Sequence, residues 1–201
     1  IVAMSEDKPV WSYENEQHKT LKAGQLLLSE PFMYDENFRR TVVLICEHTT
    51  ENGTVGLILN KPINLRLNDV VEGFPRFEGK IFLGGPVGTD KLQFIHSLGN
   101  KIENSIQLAE NIFWGGNFEQ LESMMENSMV QPNEVRFYLG YSGWGVGQLD
   151  EEMKSNSWIL EPATHQQIFQ TNYDLLWKET LKKMGGVYST MAGYPENPGL
   201  N

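Results

Sequence analysis

The run Gly140-Tyr141-Ser142-Gly143-Trp144-Gly145-Val146-Gly147 places four glycines in eight positions, directly after an expected strand and before an amphipathic stretch that opens with Gln148. Glycine admits positive φ and leaves its amide uncovered, so a strand-to-helix loop of this composition can cradle an anion. The spacing departs from the known phosphate loops. There is no G-x-x-x-x-G-K-[ST], and G-x-G-x-x-G read from Gly143 puts Gln148 where the last glycine belongs. The alternative is structural: the glycines let Tyr141 and Trp144 pack against neighbouring chain.

Two other turns could share a cleft with this one. Asn60-Lys61-Pro62 ends an apolar run with a donor-rich pair and a rigid stop, and Leu83-Gly84-Gly85-Pro86-Val87 ends another with free backbone amides. Arg39-Arg40 stands at a strand entrance, where an arginine either holds an anion or pairs with Asp35 or Glu47. The candidate ligand-binding set is therefore Arg39, Asn60, Lys61, Gly84, Gly85, Gly140, Tyr141, Gly143, Trp144, Gly145 and Gln148.

Nucleophilic chemistry has two possible carriers. Gly140-Tyr141-Ser142-Gly143-Trp144 nearly matches the G-x-S-x-G elbow, with His165 downstream as a base, but an elbow needs a small residue where Trp144 stands. Cys46 and His48 leave the same face of a strand. Alternate strand positions lie roughly 6.5–7 Å apart, so a direct dyad requires the chain to bend at Glu47. Cys46 closes an apolar run and reads as a buried thiol. His18, His96 and His165 are scattered, so no metal and no cofactor are implied.

The elements that must position these residues are strands for the most part. Val42-Val43-Leu44-Ile45-Cys46 and Val55-Gly56-Leu57-Ile58-Leu59 are continuous apolar runs of the kind covered on both faces, joined through Asn52-Gly53 as a long-looped hairpin. Further strands are expected over 24–29, 80–83, 92–97, 106–108 with 112–114, 135–141 and 158–161. Asn117 with Gln120 opens a helix over 118–128, whose Met124 and Met125 read as core fillers. Thr164 with Gln167 opens a short one, and 173–184 forms a helix closed by Lys182, Lys183 and Gly185-Gly186. Adjacent strands with late helices indicate α+β. The expected organisation is an arm over 1–20, one domain over 21–186 and an irregular tail over 187–201.

Composition sets the function classes. The 201 residues carry 16 Lys+Arg against 26 Asp+Glu, a formal charge of -10, so a polyanion is repelled at long range. No Lys or Arg occurs from Ile102 to Val135, and no basic recognition helix is present. A mean hydropathy of -0.38 without a long apolar run gives no membrane span. A single cysteine excludes an intrachain disulfide, and the N-terminal stretch lacks signal-peptide character, so a cytoplasmic protein is expected.

Five ordered segments together resemble one family: Gly24-Gln25-Leu26-Leu27-Leu28-Ser29 with Pro31-Phe32; Phe38-Arg39-Arg40-Thr41-Val42-Val43-Leu44 with Cys46-Glu47-His48; Gly56-Leu57-Ile58-Leu59-Asn60-Lys61-Pro62; Leu83-Gly84-Gly85-Pro86-Val87; and Gly140-Tyr141-Ser142-Gly143-Trp144-Gly145 with Gly147-Gln148-Leu149. They are similar to the bacterial YqgE/AlgH family over residues 21–186. Ser142 stands where that family commonly has alanine, Val146 where it has proline, and Asp150 where it has glutamate. The resemblance implies a mostly antiparallel α+β fold with a partly closed sheet and flanking helices, in a cytoplasmic bacterial protein without an established reaction. The family name implies an association with transcriptional control, here through a protein or small ligand.

The sequence reading is thus a non-enzymatic binding or regulatory module with a glycine-rich surface site for an anionic small molecule or peptide. The alternatives are a hydrolase using Ser142 or Cys46/His48, and a direct DNA-binding transcriptional regulator, which the charge disfavours.

Overall fold

The computed structural model describes residues 20–196. The chain lays down strands β1 (Gln25–Ser29), β2 (Val42–Thr49), β3 (Gly53–Ile58) and β4 (Pro62–Ile63), helix α1 (Leu67–Val70), then β5 (Ile81–Leu83), β6 (Val87–His96), β7 (Ile106–Ala109) and β8 (Ile112–Trp114). Helix α2 (Phe118–Glu126) precedes β9 (Val135–Trp144), α3 (Gln148–Lys154) and β10 (Trp158–Pro162). A wide π turn (Gln166–Gln170), a 3-10 turn (Tyr173–Leu175), α4 (Leu176–Met184) and α5 (Gly186–Met191) complete the described chain.

The strands form one sheet of order β10-β1-β2-β3-β9-β6-β8-β7, with β5 joined to β9 and β4 to β5. Every pairing is antiparallel except β5 with β9. The expected α+β, mostly antiparallel architecture is what the chain builds. The sheet is not closed: β10 and β7 end the pairing path. It curls enough that Gly24, just before β1, meets the Leu108 carbonyl of β7, where a Cβ would overlap the oxygen. That contact brings the far strand back without a ladder to seal it.

The uninterrupted apolar runs have a direct cause. Leu26, Leu28, Val42, Leu44, Cys46, Leu57, Leu59 and Ile159 point to one face, beneath Ile168, Phe169, Trp177, Leu181 and Tyr188 of the C-terminal helical layer. Leu27, Val43, Ile45, Ile58, Trp158 and Leu160 point to the other, against Leu149 of α3 and Phe38. On that second face, at the other half of the sheet, Phe137, Leu139 and Ile81 pack on Leu67 of α1 and Leu121 of α2. A strand covered on both sides has no polar face to alternate with.

Local signals act largely as read. Asn117 Oδ1 accepts from Gln120 N at 3.1 Å to start α2, and Met124 and Met125 pack on the core below it. Thr164 N donates to Gln167 Oε1 at 2.9 Å while Gln167 N donates to Thr164 Oγ1. The helix expected over 173–184 is a 3-10 turn followed by α4. The β2–β3 connection is shorter than expected, since Thr49 already pairs with Gly53.

Two boundaries differ. Residues 186–191 form α5, with Tyr188 and Met191 buried, where the tail from 187 was expected to be irregular; the apolar positions fold back onto the core. The expected arm over 1–20 lies outside the described residues, Thr20 excepted. Among the described residues no helix is long and apolar enough to cross a membrane.

Candidate functional site

The glycine-rich segment is not a loop for most of its length. Residues 140–144 are the second half of β9, and Thr54, Val55 and Gly56 of β3 pair with Trp144, Gly143 and Ser142. Gly140 makes this possible by turning the strand at φ +68°, a left-handed angle that side chains disfavour. Its backbone lies so near β5 and β6 that a Cβ would come within 2.7 Å of the Gly85 and Val87 carbonyl oxygens.

Gly84-Gly85 and Gly140-Tyr141 therefore do come together, but face to face. Gly84 N donates to Leu139 O at 2.8 Å, and Gly84 O accepts from Ile58 N at 2.8 Å and Ser142 Oγ at 3.1 Å. A Cβ on Gly85 would overlap the Tyr141 carbonyl. The open cradle expected of these turns is corrected accordingly: their glycines allow two backbones to touch, and Gly84, Gly85 and Gly140 are buried. Gly143 and Gly145 are exposed, yet Gly145 N donates to Gln148 Oε1 at 3.0 Å, so Gln148 serves the start of its own helix.

Trp144 is core rather than the wall of a pocket. Only 4% of it is exposed, and its ring packs 5.8 Å from Phe38 and 5.9 Å from Trp158. Gly56 leaves the space it fills, with Trp144 Cζ3 3.4 Å from where a Cβ would stand. Tyr141 is half-buried, with Gly88 and Gly143 against its ring. Asn60 ties the strand ends, its Oδ1 accepting from Val42 N and its Nδ2 donating to Arg40 O, both at 2.9 Å. Lys61 Nζ donates to the Glu36 and Asn37 carbonyls at 2.7 Å each; burial lowers its pKa, with Asp35 opposing that shift. Arg39 is exposed, and Arg40 reaches the other way, over the Trp177 ring at 4.8 Å and onto Tyr194 O at 2.6 Å.

The nucleophile candidates are placed as structural groups. Ser142 is fully buried with its hydroxyl on Gly84 O, while His165 stacks on Phe169 at 5.0 Å. Burial pushes the Cys46 thiol well above its ordinary range, which suppresses the reactive thiolate. The β2–β3 register shifts between Ile45 and Glu47; His48 Nδ1 bonds Thr54 Oγ1 at 2.7 Å.

A wide opening lies elsewhere, in the connector from β4 to β5. A cleft of about 890 Å³ is bordered by Asn64, Arg66, Asn68, Asp69, Arg76, Phe77, Glu78 and Lys80. A second, of about 260 Å³, adjoins it through Phe77, Gly79 and Lys80 and is lined by Phe82, Arg136, Phe169 and Tyr173. Together they carry four cations, Arg66, Arg76, Lys80 and Arg136, against the carboxylates Asp69 and Glu78. Asp69 Oδ2 is engaged by Arg66 N at 2.9 Å, and Glu78 meets Arg76 at 2.5 Å in a strongly exposed pair. Phe74 and Phe77 fix the connector by packing edge-on against Phe137 at 5.9 and 5.1 Å, and Asn68 Nδ2 donates to Phe74 O.

Residues 26–189 match the family model described as AlgH-like. The chain belongs to the AlgH-like family. Similar members include UPF0301 proteins of Chlorobium limicola, 42% identical over 90% of this chain and 96% of that protein, and of Chlorobaculum parvum, 39% identical over 92% and 98%. The AlgH-like fold recurs in the solution structure of the AlgH protein from Pseudomonas aeruginosa, with TM-score 0.68 and 24% identity over 96% of this chain and 98% of that one. A Corynebacterium diphtheriae crystal structure gives TM-score 0.72 at 19% identity, over 87% and 93%.

In this AlgH-like chain the residues that open onto space are ones sequence reasoning passed over. The signal available was a 17-residue connector, 64–80, bearing Arg66, Arg76 and Lys80 between two strands. It has no period, so nothing in it marks which side chains converge.

Proposed function

We propose that this AlgH-like protein is a binding module for an anionic small molecule, held in the cleft of the β4–β5 connector. The observation that carries the reading is the local reversal of charge: four cations face two carboxylates around the paired clefts of a chain whose net charge is -10. The Arg76–Glu78 pair is exposed at both ends, so opening it to admit an anion costs little. The cleft volume falls within the range of small-molecule sites. Any regulatory effect then passes through occupancy of this cleft rather than through DNA.

Thermal unfolding in the presence of inorganic pyrophosphate tests the reading, because a ligand selective for the folded state raises Tm. A concentration-dependent rise is expected for the native sequence. An unchanged Tm at millimolar pyrophosphate in low salt contradicts it.

A further inference from the structure

The adjoining cleft has a chemistry of its own. Phe82 meets Tyr173 edge-on at 5.3 Å and 75°, and the Arg136 guanidinium lies 5.3 Å over the Phe82 ring. Phe82, Arg136 and Tyr138 share one face of the sheet by parallel register and strand alternation. Phe82 and Phe169 are nearly buried, while Tyr173 and Arg136 remain partly open. A flat cationic group beside aromatic edges suits a planar π system, which gains both from stacking and from the cation. Among the described residues no carboxylate lines this second cleft.

Resting on the anion-binding reading above, we propose that the ligand is a nucleotide whose base enters the cleft of Phe82, Arg136 and Tyr173 and whose phosphates reach Lys80, Arg76 and Arg66. The two clefts share Phe77, Gly79 and Lys80, so a ligand occupying both needs a spacer between its ring and its charge, as a ribose provides. Lys80 borders both and stands at the junction, where the first phosphate falls. An inorganic anion fills only the larger cleft and leaves the aromatic one empty.

Calorimetric titration with pyrophosphate, adenosine and the diphosphates of adenosine, guanosine, cytidine and uridine tests this. At least one nucleoside diphosphate is expected to bind tenfold or more tightly than pyrophosphate, with adenosine alone weaker than either. Tyr173→Ala, at a partly exposed position, is expected to bring that diphosphate to the pyrophosphate level while leaving pyrophosphate binding unchanged; Tyr173→Leu, which keeps an apolar side chain there, provides a second variant should the first disturb the 3-10 turn. Equal affinity for pyrophosphate and all four diphosphates overturns the nucleotide assignment and leaves the anion site standing. Equal loss of both ligands in Tyr173→Ala also overturns it. Binding of none of the probes removes both this inference and the reading beneath it.

Discussion

Trp144 Nε1 donates to Glu152 Oε2 at 3.0 Å, and the same oxygen accepts from Trp158 Nε1 at 2.8 Å. One carboxylate on α3 thereby ties the end of β9 to the start of β10, while Gln148 Nε2 holds its other oxygen at 3.1 Å. Both indoles are buried, so their N–H groups depend on this acceptor. Hydrogen bonds to a charged group contribute about 1.5–3 kcal/mol, and an orphaned buried donor costs a similar amount. Glu152→Ala should lower unfolding stability by about 3 kcal/mol and alter tryptophan emission, with Glu152→Gln losing less because its amide oxygen still accepts. Urea unfolding followed by fluorescence checks this; a loss under about 0.5 kcal/mol for Glu152→Ala would show the pairing to be incidental.

His96 gives the fold a pH dependence. It is fully buried, its Nδ1 accepts from Leu98 N at 3.2 Å, and its Nε2 lies 2.9 Å from Ser105 Oγ and 3.1 Å from Gly115 O. Accepting at Nδ1 requires the neutral ring with its proton on Nε2. Desolvation lowers its pKa below the ordinary 6.5, against the opposing Gly115 carbonyl. The unfolded chain therefore takes up the proton first, and this contribution to stability is complete above pH 6.5 and lost as pH falls through the lower folded value. Unfolding free energies between pH 7.5 and 5 should fall more steeply for the native sequence than for His96→Asn. Parallel curves would exclude His96 as the source.

Gly140 and Gly147 separate two demands that look alike in sequence. Both have left-handed φ, +68° and +73°, but a Cβ at 147 meets open space whereas one at 140 meets two carbonyl oxygens. Gly147→Ala should cost about 1 kcal/mol from backbone conformation alone, and Gly140→Ala about 3 kcal/mol or more because overpacking adds to it. Chemical denaturation of the two variants measures the difference. Equal costs would mean that the contact of β9 with the Gly85–Val87 segment yields to a methyl group.

Much of this was legible in the residues and some could not be. Leu26-Leu27-Leu28 and Val42-Val43-Leu44-Ile45 announce two-sided burial because each face needs its own apolar positions. Asn117 and Thr164 act over three residues, so their roles are local and readable. That Trp144 packs against neighbouring chain was readable, but its partners were not: its burial depends on the notch at Gly56 and on Phe38 and Trp158, contacts with segments distant in sequence. Glycine density at 140–147 signalled close approach correctly, but to Gly84-Gly85 and not to a ligand. The cleft of Arg66, Arg76 and Lys80 forms only when Phe74 and Phe77 pin an aperiodic connector to Phe137.

On the proposed function, the cations of the β4–β5 connector bind an anion. Isothermal titration of pyrophosphate into the native protein and into Arg66→Gln/Lys80→Gln tests it most directly, because both side chains are exposed and their removal spares the core. Saturable binding by the native protein at low salt is expected, with at least tenfold weaker binding by the variant, whose Tm without ligand is unchanged. Flat heats for the native protein, or equal affinity for both, would contradict it.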